Sequence, residues 1–222
     1  MAGDAERGAV VVAGAGALGG AILRRLADDR PSQPAWISYR SDAAGAAALL
    51  RDVPGGRAVR CDLHEAEDVA RLADEVRAAA GSVSALVHAA VETPIAPLLE
   101  LGHARVSAVV GSSGLSLLGL VAAFDDLLVP GSSVVYVTSI GSQRVIAGYG
   151  AVGAAKAVGE SLVRYLAAEL APRGVRVNAI SAGPFVSKAA ADVAAYLVDP
   201  RSSGITGQVV TVDAGIFHRW SL

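Results

Sequence analysis

Tyr149 and Lys156 stand seven positions apart at the start of a stretch that reads as one long amphipathic helix, Tyr149-Gly-Ala-Val-Gly-Ala-Ala-Lys156. At 3.6 residues per turn this spacing is about two turns, so the phenol and the ammonium can reach the same side of the helix. An ammonium close to a phenol favours the phenolate and lowers the phenol's pKa, which makes tyrosine a usable acid near neutral pH. Taken alone, the pair is equally compatible with a surface lysine and a tyrosine at a helix start.

A second group of residues suits phosphate binding. The string Ala13-Gly14-Ala15-Gly16-Ala17-Leu18-Gly19-Gly20 closes an apolar run and opens a helical stretch, and Gly14, Gly16 and Gly19 match G-x-G-x-x-G. In a strand-turn-helix context, the missing side chains let the backbone approach a pyrophosphate that rests on the helix N-terminus. The same glycines could serve only a tight turn and helix packing. After the next apolar run comes Ser38-Tyr39-Arg40-Ser41, with no carboxylate for a ribose 2′-hydroxyl. Arg40 instead suits a 2′-phosphate, so the expected cofactor is NADP(H), with Ser41 beside it; a solvated loop arginine is the alternative. Asp62 and Leu63 follow the third run, where Asp62 would meet the adenine edge, and Ala89-Ala90-Val91 follow the fourth, leaving room for the cofactor ribose.

The elements that must position these groups alternate along the chain. Apolar runs at Ala9-Ala13, Ala35-Tyr39, Ala58-Cys61, Ala85-Ala89, Ser133-Thr138, Arg176-Ile180 and Val209-Val212 are separated by helical patterns. The helices are expected at Gly19-Asp28, Asp42-Leu50, Glu65-Ala80, Leu115-Leu128, Gly150-Leu170 and Ala189-Leu197. Seven strands in this alternation predict an α/β fold, a single Rossmann-type doubly wound parallel seven-stranded sheet, over residues 1–222 as one domain. Functional groups should then gather beyond the carboxyl ends of the strands, around the switch point in strand order.

Composition narrows the function classes. A hydrophobic content of 53% supports a well-buried core, and a net charge of -2 from scattered residues provides no footprint for nucleic acid or an anionic membrane. The N-terminus is polar, and the apolar stretch around Leu115-Phe124 is interrupted by Gly119 and followed by Asp125-Asp126, so it reads as a buried helix. A soluble, cytoplasmic protein is expected. The single cysteine, Cys61, lies in an apolar run and reads as core; His64, His103 and His218 are scattered, and no metal site is expected.

From Val10 to Val212-Asp213-Ala214-Gly215 the chain resembles the short-chain dehydrogenase/reductases. Within them it is most similar to the enoyl-acyl carrier protein reductases, which separate the catalytic tyrosine and lysine by six residues, as Tyr149 and Lys156 are here. Val175-Arg176-Val177-Asn178-Ala179-Ile180-Ser181-Ala182-Gly183-Pro184 and Ile205-Thr206-Gly207-Gln208-Val209-Val210 carry the same resemblance. It implies Tyr149 as acid or oxyanion-stabilising donor and Lys156 on the nicotinamide ribose. Gly14, Gly19 and Gly20 would line the pyrophosphate, with Pro184, Phe185, Val186 and Ser187 bordering the nicotinamide.

The departures are informative. Ser139 stands where enoyl reductases commonly carry a second aromatic residue, and it also ends the fifth strand, where most short-chain reductases keep a catalytic serine; it could hydrogen-bond a carbonyl oxygen alongside Tyr149. Thr138 is a lesser candidate. His88 and Ala89 replace the usual paired asparagines, His88 reading as a satisfied strand-end residue, and the relay asparagine of many relatives is absent near Ser112 and Ser113. The helical lid of relatives is missing after Pro184, so the site is expected to be open, or closed by a neighbouring subunit or a carrier protein. The expected activity is NADPH-dependent reduction of a polarised C=C or C=O bond in a small or carrier-bound biosynthetic intermediate, by a homodimer or homotetramer. The alternative is a divergent member with a non-redox role as cyclase, isomerase or partner subunit.

Overall fold

The computed structural model describes residues 8–183 and 187–216. Seven strands form one sheet: β1 (Ala9–Ala13), β2 (Ala35–Tyr39), β3 (Arg57–Arg60), β4 (Val83–His88), β5 (Leu128–Thr138), β6 (Arg176–Ala182) and β7 (Val209–Val212). Their order is β3-β2-β1-β4-β5-β6-β7, with every neighbouring pair parallel. The order reverses between β1 and β4, which opens a crevice beyond Ala13 and His88.

Among the described residues seven α-helices connect the strands: α1 (Ala17–Asp29), α2 (Ala43–Leu49), α3 (Ala66–Ala80), α4 (Leu98–Val110), α5 (Ser116–Ala123), α6 (Gly150–Leu170) and α7 (Ser187–Val198). Strand side chains alternate between two faces, and this alternation divides the core. Val11 of β1 and Val134 and Tyr136 of β5 pack with Leu72 of α3, Leu117 and Leu120 of α5 and Val163 of α6. Val10, Val12, Val135 and Val137 face the other way, against Ile22 and Leu26 of α1 and Ala190 and Ala194 of α7. Because both faces are covered, the central strands carry apolar residues at nearly every position. Leu117 and Leu120 are fully buried, a contribution of about 1.5–3 kcal/mol apiece.

The segment before β5 differs from the expectation. Its helix begins at Leu98 rather than Leu115 and runs to Ala123, with α4 and α5 joined by a π turn at Gly111–Leu115. Gly102, at φ 70° and ψ 168°, breaks the helical geometry within α4, and glycines at 102, 111, 114 and 119 blur the helical period in the sequence. Packing restores what the local sequence obscures: a Cβ on Gly114 would lie 2.4 Å from the carbonyl oxygen of Ala155, so the π turn rests directly on α6. The expectation of a buried helix holds for one flank only. Residues Leu98–Ala123 are long and apolar enough by composition to cross a membrane, but only 39% of their most apolar window is buried, and Leu115 and Leu118 are half exposed.

Candidate active site

A cavity of about 340 Å³ lies at the carboxyl ends of the first four strands. Its lining includes Gly14, Gly16, Arg40, Ser41, Asp62, Leu63, Ala89 and Ala90, contributed by four separate turns. The glycines differ in their reasons. Gly14 has φ +117°, and a Cβ there would lie 2.5 Å from Ala90 N, so the turn itself requires glycine. Gly16 has an ordinary φ of -73°, and a Cβ there would meet nothing within 4 Å, so no protein contact demands its bareness. It caps α1 at the cleft wall with no side-chain hydrogen bond and no acidic residue in the first turn, which leaves the helix's first N–H groups without a capping side chain, as an anion would require. The donor set therefore fits a dinucleotide pyrophosphate.

Gly19 and Gly20 are corrections to the expected site. Both are buried and outside the cavity lining. A Cβ on Gly19 would meet Gly14 O at 2.0 Å, and one on Gly20 would meet the Leu49 side chain at 2.5 Å. The Gly20 N–H bonds Gly16 O at 2.9 Å, so it is not free for a phosphate. Both glycines let α1 pack, against Gly14 and Leu49, outside the cavity lining.

Arg40 reaches the cleft with a side chain 55% exposed, and its guanidinium lies 3.9 Å from Glu92. Glu92 also accepts from Arg105 at 2.7 Å and from Ser112 Oγ at 3.3 Å. Burial opposes its ionisation, but Arg105, Arg40 and Ser112 outweigh burial and hold the carboxyl below its ordinary value. Glu92 thus brings into the cleft a carboxylate that the β2 end lacks. Asp62 lines the cleft with one carboxylate oxygen accepting His64 N–H at 3.0 Å. Cys61 is both core and cleft wall, its thiol pushed up to about 11 by burial.

The cavity lining includes none of Tyr149, Lys156 and Ser139, which gather along α6 and the end of β5. Tyr149 is the N-cap of α6, and its ring lies against Gly141: a Cβ there would be 2.5 Å from Tyr149 Cδ1 and 3.5 Å from Ser139 Oγ. Phenol ring and hydroxyl are therefore neighbours. Ser139 Oγ is buried and has no hydrogen-bond partner, unlike Thr138, whose hydroxyl donates to Glu160 at 2.7 Å. Thr138 is thereby accounted for structurally, and Ser139 remains the available hydroxyl. Lys156 is 3% exposed; its Nζ donates to Val137 O at 2.8 Å and lies 4.8 Å from the Tyr136 ring centroid. Burial pulls the ammonium down to about 7 despite the opposing charge of Glu160. The tyrosine facing Lys156 here is Tyr136, a residue that belongs to no motif in the sequence.

A model of the family described as Enoyl-(Acyl carrier protein) reductase matches residues 34–193. The chain belongs to the enoyl-acyl carrier protein reductase family. It is 34% identical over 180 residues to a chloroplastic enoyl-[acyl-carrier-protein] reductase [NADH] of Oryza sativa subsp. japonica, covering 67% of this chain and 48% of that protein. It is 30% identical over 187 residues to an enoyl-[acyl-carrier-protein] reductase [NADH] of a Nostoc species, covering 70% and 72%. The chain thus spans about half the length of the rice relative. The fold superimposes on a dehydrogenase/reductase of Sinorhizobium meliloti 1021 with TM-score 0.88 and 24% identity, over 97% of this chain and 95% of that one. An enoyl reductase of Anaplasma phagocytophilum in complex with NAD gives TM-score 0.87 at 23% identity, over 97% and 93%.

Of the other expected residues, Pro184, Phe185 and Val186 lie outside the described residues, as do Ser187's side chain and His218. β6 ends at Ala182 and α7 begins at Ser187, so four residues lie between them. His88 is fully buried and only half satisfied: Nε2 pairs with Ser116 Oγ at 2.8 Å, while Nδ1 has no partner. Burial, with Lys156 adding to it, pushes its pKa down to about 3, so the ring is neutral.

Proposed function

We propose that the protein is an NADPH-dependent reductase of a polarised C=C or C=O bond in a carrier-bound or otherwise bulky intermediate. The observation that carries this reading is the buried, unpartnered Ser139 hydroxyl beside the Tyr149 ring, at the end of the strand next to a cleft with an uncapped helix N-terminus. When bound, a reduced nicotinamide cofactor supplies the hydride. Gly16 and the first N–H groups of α1 would hold its pyrophosphate, and Arg40 with Ser41 its 2′-phosphate. Tyr149 donates to the substrate oxygen as negative charge develops there, and Ser139 supplies a second donor. Lys156, held by Val137 O at the end of the same strand, would support the cofactor ribose. The relatives named above are NADH enzymes; Arg40 supports the phosphate-bearing form in this chain, although Glu92 shares its guanidinium.

The test is a panel of enoyl and keto thioesters, carrier-bound and free, with loss of reduced nicotinamide followed for NADPH and NADH separately. Turnover with either thioester class, and preference for NADPH, is expected. Binding of both cofactors with no turnover across the panel would favour the non-redox role, for which the short β6–α7 connection is the supporting observation. We also propose a homodimer or homotetramer, because the apolar flank of 98–123 with Leu115 and Leu118 is only partly covered within the chain. Sedimentation at micromolar concentration showing only a 22.3 kDa species would refute that assembly.

A further inference from the structure

Tyr136 sits at the centre of the buried polar cluster, yet the chemistry proposed above makes no use of it. Its side chain is fully buried on β5, in register with His88 of β4, the two rings 5.2 Å apart. Lys156 Nζ lies 4.8 Å from its ring centroid, within cation–π range. Gly159, close to one turn beyond Lys156 on α6, gives the ring its space: a Cβ there would be 2.3 Å from Tyr136 Cζ. The phenol donates to Ser113 O in the π turn at 2.6 Å, and Ser113 Oγ accepts the Glu92 N–H at 2.9 Å. Ring orientation is therefore set from both ends.

A buried ammonium requires compensation from its surroundings. Glu160, one turn along α6, is the nearest carboxylate on that helix, but its Oε1 accepts Thr138 Oγ1 at 2.7 Å and Ser142 Oγ at 2.5 Å. Among the described residues Lys156 has no ion pair, and His88 on β4 is neutral. What meets Nζ directly is one carbonyl, Val137 O, and one aromatic face, Tyr136. We propose that Tyr136 is a positioning residue whose ring carries the Lys156 ammonium and fixes its direction on α6. The inference rests on the reading of Lys156 as a site residue. It gives the chain a dry support for the lysine in a region where the π turn carries serines.

The chain contains two lysines, 156 and 188, and Lys188 is exposed and paired with Asp192. Protein labelled with ¹³C-lysine therefore yields two ε-methylene signals, and Lys188→Arg leaves only that of Lys156. The expected result is a Lys156 signal displaced upfield by the ring current, titrating near neutrality. Tyr136→Phe should keep the displacement, because Gly159 still cups the ring. Tyr136→Leu should abolish it, move the titration toward the ordinary lysine range as water enters, and lower turnover by about tenfold. No displacement in the wild-type protein, or an unchanged signal and titration in Tyr136→Leu, overturns the proposal. Should Tyr136→Leu fail to give a dispersed spectrum, wild type and Tyr136→Phe decide: both displaced supports it, either undisplaced refutes it. A displaced signal in a protein that reduces nothing in the panel would refute the proposed function alone, and an undisplaced one in an active reductase would refute this inference alone.

Discussion

Replacing His88 by glutamine tests whether a neutral buried imidazole makes this fold acid-labile. Ser116 Oγ already donates to Ser112 O at 2.8 Å, so the 2.8 Å contact with His88 Nε2 requires the ring to donate there. Nδ1 is then the unprotonated nitrogen, buried and without a partner. Protonating it would place a second cation close to Lys156 in a dry core, which is why burial, reinforced by Lys156, holds the folded-state pKa to about 3 against an ordinary 6.5. Between these values the unfolded chain binds a proton that the folded chain does not, so stability rises with pH across the window and is lost as pH falls through it. The slope approaches about 1.4 kcal/mol per pH unit below pH 6.5, which integrates to roughly 2 kcal/mol between pH 6.5 and 4.5. Glutamine keeps an amide donor near the Nε2 position and does not titrate, while the carboxylates common to both proteins cancel in the comparison. Urea unfolding midpoints measured at several pH values should show the wild type losing about 2 kcal/mol more than His88→Gln over those two units. Parallel stability curves would refute both the neutral assignment and the dry character of the cluster.

Gly16→Ser should leave the melting temperature nearly unchanged, since a Cβ at that position meets nothing within 4 Å and serine caps a helix at least as well as glycine, yet weaken dinucleotide binding by intruding on the cleft; Gly14→Ala should instead destabilise the protein through its φ of +117° and the contact with Ala90. Calorimetry with binding titrations separates the two. Tyr149→Phe should lower turnover by about 10²–10³ with cofactor affinity unchanged, measured by steady-state kinetics and direct titration; retained turnover would pass the proton-donor role to Ser139. Arg40→Ala should narrow the NADPH-over-NADH preference by roughly tenfold, and equal affinity for both cofactors in the wild-type protein would remove the 2′-phosphate assignment.

Much of this was legible in the residue order because it depends on local patterns. Apolar runs alternating with helical stretches imply parallel strands with crossover helices, and the glycines after β1 announce a turn that only small residues allow. Arg40 and Asp62 both line the cleft because each lies just past a strand, and strand ends gather at one edge of such a sheet. The helix at Leu98–Val110 was not legible, because Gly102 interrupts its periodic signal and the π turn that follows it is held by contact with Ala155, far along the chain. Gly19 and Gly20 looked like cleft residues by spacing, but the rotation of α1 points them at Gly14 and Leu49. Glu92 and Tyr136 carried no motif at all. Glu92 joins Arg40 because the switch in strand order brings the turn after β4 against those after β1 and β2. Tyr136 read as one more apolar residue in a core strand; only the packing of β5 on α6 places its ring over Lys156 and against Gly159. Sequence determined the elements and the chemical groups at their ends, whereas tertiary packing decided which groups meet, since contact between distant residues depends on how helices rotate and seat on the sheet.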